Sequence, residues 1–192
     1  MTTQNGGWRR SSSLVAAELD VLITRAQEGD REAFEEAFRP LYDDAFRLAI
    51  AMLQDRAEAE DAIQEALLKA WRKLYTFKVG TGLRPWFLTV VANQCRSIRR
   101  TRWWSVQRLA AVEVSHPGPG QEPERLDLRR ALGHLPPGPR LLLVLHYYLD
   151  MSFEEMSQVV GGRPEAVKSR TYRALRKLRS SVLAEPLPEV VG

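Results

Sequence analysis

Met151-Ser-Phe-Glu-Glu-Met-Ser-Gln-Val-Val-Gly-Gly-Arg-Pro-Glu-Ala-Val-Lys-Ser-Arg170, running on through Arg179, is the stretch that decides the fold. Ser152 is placed to cap a helix, and Glu155 three residues on completes a capping box. Gly161-Gly162 end that helix, because glycine takes the positive backbone angles that other residues avoid. Pro164 then stands where a second helix begins, at a position with no use for its missing N–H. At the helical period, Val167, Thr171, Ala174, Leu175, Leu178 and Val182 form one stripe, while Glu165, Ser169, Tyr172, Arg173 and Arg176 point away from it. Lys168, Arg170, Lys177 and Arg179 fall on the flanks. A short helix, a glycine turn and a long basic helix make a helix-turn-helix whose second helix suits a DNA major groove. A helical hairpin with a solvated basic face is the alternative this stretch leaves open.

Upstream, the pattern is helical throughout. Residues 1–17 are expected to be a disordered tail, on the Gly, Ser, Thr and Arg content of their first part. Leu19, Leu22, Ile23 and Ala26 share a face that Gly29 closes, and Asp30 is placed to cap the next helix. Pro40 should interrupt that helix before the pattern resumes through Ala45, Leu48, Ala49 and Met52. Asp55 is placed to cap a helix over about 57–75, and another is expected over 84–102. Residues 103–124 lose periodicity and include His-Pro-Gly-Pro-Gly-Gln-Glu-Pro, which reads as a linker. A short helix near 125–133 and an apolar helix near 139–149 lead into the helix-turn-helix, and 184–192 reads as a tail. No stretch alternates at the strand period. The expectation is an all-α chain with a helical domain over 18–102 and a DNA-binding domain over 125–183, joined by a flexible linker.

Composition narrows the function classes. The chain has 192 residues and a formal net charge of +4, which suits a polyanionic partner. No apolar run approaches the roughly 18 residues that span a bilayer, so membrane insertion is not expected. The lone Cys95 allows no internal disulfide, and with no apolar signal core at the N-terminus the expected location is the cytoplasm. His116, His134 and His146 are scattered, without metal-ligand spacing, and no cofactor signature is present.

Two helices carry residues that a plain core would not ask for. In 57–75, Ile63, Ala66, Leu67, Ala70 and Leu74 share one face, with Trp71 at its edge; Asp61, Gln64, Glu65 and Arg72 lie opposite, with Leu68 among them. A leucine among outward polar residues marks an interface, or else the face is simply solvated and its acids favour the helix N-terminus. In 84–102, Phe87, Leu88, Val91, Cys95 and Ile98 gather inward, while Trp86, Thr89, Asn93, Arg96, Ser97 and Arg100 fall outside. Cations that track phosphates and an indole that stacks on bases are what single-stranded nucleic acid requires. The loop Phe77-Lys-Val-Gly-Thr-Gly-Leu83 has the glycines and small polar side chains to shape a pocket for an unstacked base. Packing of Trp86 on a neighbouring helix is the alternative reading.

Taken together these segments resemble the extracytoplasmic-function sigma factors, small promoter-specificity subunits of bacterial RNA polymerase. Asp30-Arg-Glu-Ala-Phe34 with the segment Ala59 to Leu74 resembles the core-polymerase-binding region, and Arg84 to Arg100 the promoter-melting helix. Leu135-Pro136, Arg140 to Tyr148 and Ser152 to Arg179 resemble the C-terminal DNA-binding domain. The resemblance implies a non-enzymatic initiation factor whose partners are core RNA polymerase and promoter DNA, with an anti-sigma factor as a further partner that the sequence does not identify. It implies that Asp61, Gln64, Glu65, Leu68 and Trp71 dock on polymerase. It assigns Phe77, Lys78, Thr81, Trp86, Asn93, Arg96 and Arg100 to the downstream (−10) element and to melting. It assigns Arg163, Glu165, Lys168, Ser169, Arg170, Arg173 and Arg176 to the upstream (−35) element. Ser157 at the helix crossing, Arg163-Pro-Glu-Ala at the entry to the second helix, and the loop Val79 to Arg84 depart from the family's usual wording. A dimeric helix-turn-helix repressor is the rival reading. A small enzyme using the carboxylates at 55–65 lacks any nucleophile–base pair.

Overall fold

Aspartate caps set where two of the helices begin. Asp30 accepts the Ala33 N–H at 3.1 Å and opens helix α2, Arg31–Phe38. Asp55 accepts the Glu58 N–H at 2.8 Å and opens α4, Arg56–Lys73. Each such cap is worth about 1 kcal/mol. The computed structural model describes residues 7–108, 132–133 and 135–184, and among these it contains no strand. Helix α1, Gly7–Gln27, precedes α2. Pro40 lies in a 3-10 turn, Arg39–Leu41, that separates α2 from α3, Tyr42–Leu53. After α4 come a 3-10 turn, Leu74–Thr76, and the long helix α5, Leu83–Arg108. The C-terminal part contains α6, Pro137–Leu143, continued by a π-helical turn, Val144–Tyr148. Then come α7, Phe153–Val160, and α8, Pro164–Ala184.

Two helices run beyond the bounds expected from the sequence. The first helix starts at Gly7, inside the stretch whose composition pointed to a loose tail. Helix α5 continues to Arg108, into residues read as linker. The linker beyond it, most of the short helix near 125–133, His134 and the tail from 185 lie outside the described residues.

Helices α1 to α5 enclose an apolar core in which Leu48, Ile63, Phe87, Leu88, Val91 and Cys95 are fully buried. An aromatic chain ties α2 to its neighbours. Phe34 stacks on Phe38 at 4.1 Å and meets Trp71 edge-on at 5.2 Å, while Phe38 meets Phe87 at 5.0 Å. Burial raises the Cys95 thiol to about 12, against a weaker opposing pull from Arg96 and Arg99. The thiolate is the reactive form, so Cys95 should not react with a thiol reagent at pH 8 until the protein opens. An aromatic disulfide reagent, followed with and without denaturant, checks this. Equal rates in both conditions would contradict the packing.

Among the described residues the two helical domains are in contact. Leu141, Leu145, Met151, Met156 and Val167 of the C-terminal domain join the same continuous core as the α1–α5 bundle. Arg84 donates to Asp44 at 2.7 Å and to the Leu149 carbonyl at 2.6 Å, bridging the domains from α5. Arg140 is 3% exposed and donates to the carbonyls of Gly133, Leu135 and Ala51, the last at the C-terminal end of α3. That end of a helix carries partial negative charge, which suits a cation. Desolvation, with Arg99 nearby, pulls the Arg140 guanidinium down to about 10, so it stays charged at neutral pH.

Candidate nucleic-acid interface

The turn after α4 and the first half of α5 build an open groove. Its cavity of roughly 420 Å³ is lined by Lys73, Thr76, Thr81, Trp86, Thr89, Val90, Asn93 and Gln158. Local hydrogen bonds fix its walls. Thr76 Oγ1 donates to the Lys73 carbonyl at 2.7 Å, and Thr81 Oγ1 donates to the Lys78 carbonyl at 2.6 Å. Thr89 Oγ1 donates to the Pro85 carbonyl at 2.8 Å, and Arg96 donates to Asn93 Oδ1 at 2.7 Å. The groove therefore offers a ring, several hydroxyls, two amides and a lysine. That is a set suited to one planar, polar-edged molecule such as an unstacked base.

The expected downstream-element residues do not all meet there. Thr81, Trp86 and Asn93 line the groove, whereas Lys78, Arg96 and Arg100 are exposed outside it. Phe77 is enclosed: its side chain is 5% exposed and packs edge-on against Trp86 at 5.2 Å, supporting the indole from below the groove surface. Trp86 is itself half-buried: it packs on Phe38 of α2 at 6.5 Å and also lines the groove. Lys73, Thr76, Val90 and Gln158 were not singled out beforehand. Lys73 and Thr76 immediately precede the loop, which was the available signal, whereas Gln158 comes from α7 and only the tertiary fold brings it near.

On α4, Asp61, Gln64, Glu65 and Leu68 are exposed together, and Leu68 keeps 50% of its surface in solvent. Trp71 is half-buried against Phe34, at the edge of this face. Among the described residues, no three His, Cys, Asp or Glu side chains group as metal ligands.

The helix-turn-helix forms as its punctuation requires. The Glu155 N–H donates to Ser152 Oγ at 3.2 Å, and the Ser152 N–H donates to Glu155 Oε2 at 2.9 Å. Gly161 and Gly162 take φ of +74° and +100°. On α8, Val167, Thr171, Ala174 and Leu178 turn inward, and Thr171 Oγ1 donates to the Val167 carbonyl at 2.9 Å. Arg163, Glu165, Lys168, Ser169, Arg170, Arg173 and Arg176 are all exposed. Glu165, Lys168, Ser169, Tyr172, Leu175, Arg176 and Arg179 border a second, shallower depression.

Comparison with known proteins agrees with this arrangement. The Sigma-70 region 2 family model matches residues 37–105, and the Sigma-70 region 4 model matches residues 125–178. The RNA polymerase sigma factor CarQ of Myxococcus xanthus is 30% identical over 162 residues, covering 82% of this chain and 93% of CarQ. The chain belongs to the extracytoplasmic-function sigma factors. The ECF sigma factor EcfG of Rhodopseudomonas palustris is 33% identical over 138 residues, covering 70% of this sigma factor and 75% of EcfG. Among solved structures, the sigma factor RpoE from Bartonella quintana, in complex with the anti-sigma factor NepR, superposes with a TM-score of 0.68 at 26% identity. That match covers 80% of this chain and 98% of RpoE. This sigma factor is thus an alternative-sigma transcription initiation factor, and its family comprises transcription factors rather than enzymes.

Proposed function

We propose that this sigma factor divides promoter recognition and polymerase binding among three faces. The α4 face of Asp61, Gln64, Glu65 and Leu68, with Trp71 at its edge, docks on the clamp helices of core RNA polymerase. The groove beside α5 takes an unstacked base of the −10 element, and Lys78, Arg96 and Arg100 track the neighbouring phosphates. The exposed face of α8 enters the duplex major groove at the −35 element. The observation that carries this reading is the groove, where an indole, hydroxyls, two amides and a lysine converge on one open cavity. One of its liners, Gln158, belongs to the helix-turn-helix domain, so a strand entering the groove meets α7 there. The solved relative RpoE is bound to an anti-sigma factor, and we infer that a partner of that kind covers these faces here. The place of action is the cytoplasm, where polymerase and promoter DNA are.

Run-off transcription with purified core polymerase on a randomised promoter library tests the proposal. Selective initiation at a two-element promoter is the expected result, and initiation no better than with core polymerase alone would overturn it. Arg173→Ala should then cost about 1–3 kcal/mol and relax preference at one position of the upstream element. Competition binding across single-base variants of that element measures this. A uniform loss across all variants would make Arg173 a phosphate contact.

A further inference from the structure

Gln27, the last residue of α1, contributes nothing to the groove surface, yet it holds the turn from which the groove is built. Its Nε2 donates to two carbonyls at once, that of Leu74 at 2.8 Å and that of Phe77 at 2.9 Å. These carbonyls flank the 3-10 turn Leu74–Thr76, which the Phe77 N–H also closes onto the Leu74 carbonyl at 2.9 Å. The turn sets three things at once. It places Lys73 and Thr76 on the groove wall, it fixes Phe77 edge-on beneath Trp86, and it starts the loop that carries Thr81. The loop beyond has two glycines at positive φ, Gly80 and Gly82, and so has little conformational stiffness of its own.

We propose that Gln27 is a positioning residue for single-strand capture, holding the α4–α5 turn in the shape that presents Lys73, Thr76 and Trp86 to an unstacked base. The inference rests on the groove assignment made above and adds to it the element that keeps the groove formed before DNA arrives. A carboxamide suits the task because its NH2 group has two hydrogens, one for each carbonyl. A carboxylate of the same size has only lone pairs to offer and would face both carbonyls with like charge. Without the clamp, the free energy of strand binding must also order the turn, which lowers the observed affinity.

The test uses holoenzyme reconstituted from core polymerase with wild-type, Gln27→Glu or Gln27→Ala protein. The probe is the non-template oligonucleotide of a promoter on which the wild type initiates, with 2-aminopurine at each position of its downstream element in turn. Loss of two hydrogen bonds predicts that Gln27→Glu binds this strand about tenfold more weakly, with Gln27→Ala between it and the wild type. Affinity for core polymerase and for upstream-element duplex should stay within about twofold of wild type, because neither face involves the turn. Hydrogen exchange should quicken at the amides of residues 74–81 in both variants, which keeps the proposal testable if the glutamate variant folds poorly. Unchanged strand affinity with a responsive wild type would overturn the role of Gln27 alone. Equal losses on all three ligands would make Gln27 a stability residue and overturn the proposal. A wild type that shows no 2-aminopurine response would remove the groove assignment and, with it, this inference.

Discussion

Leu68→Asp should lower affinity for core RNA polymerase by about thirtyfold or more, the effect of losing a central apolar anchor worth about 2 kcal/mol. Leu68 is the apolar member of an otherwise polar outward face on α4, and half of its surface is exposed. Its neighbours on the opposite face of α4, Ile63, Ala66 and Ala70, already fill the bundle core, so folding does not depend on Leu68. The melting temperature should therefore move by no more than a surface substitution allows, about ±0.5 kcal/mol of stability. Equilibrium titration of labelled protein with core polymerase, beside a thermal scan, separates the two effects. Unchanged polymerase affinity, in this variant and in Gln64→Ala, would remove the docking assignment from α4.

Trp86→Ala should weaken capture of single-stranded downstream-element DNA by about 5–150-fold, the equivalent of one lost base–aromatic stack of 1–3 kcal/mol. The indole is half-buried, held edge-on by Phe77 at 5.2 Å and Phe38 at 6.5 Å, so its position is fixed before DNA binds. That packing also means that the alanine variant loses stability. Binding is therefore compared well below its melting temperature, with Trp86→Phe as the variant that keeps a ring. The phenylalanine variant should retain most of the affinity, and binding of upstream-element duplex should be unaffected in both. Equal losses on single strand and duplex would count against a melting role for this face.

Much of this was legible in the sequence because it is local. Asp30, Asp55 and the Ser152–Glu155 pair announce helix starts through side-chain to backbone bonds spanning three residues, and Gly161-Gly162-Arg-Pro164 announces the turn. The outward placement of Leu68, Asn93 and Arg173 follows from helical periodicity alone. What the sequence did not yield is set by long-range contact. Phe77 looked like a loop residue, and only its packing against Trp86 of α5 shows that its ring is enclosed. The Gln27 bonds span 47 and 50 residues, and the Arg84–Leu149 and Arg140–Ala51 bonds span 65 and 89. No local pattern encodes such pairings. The same holds for domain association: no local pattern announces that the buried faces of α6 and α7 meet the α1–α5 bundle.

This sigma factor acts through polymerase, with promoter DNA as its second ligand. A titration of the purified protein against core RNA polymerase, with isolated promoter duplex titrated in parallel, checks this directly. Tight polymerase binding that Leu68→Asp weakens, together with weak and steeply salt-dependent binding to free duplex, is the predicted result. No binding to polymerase, with a stable dimer on palindromic duplex instead, would contradict it.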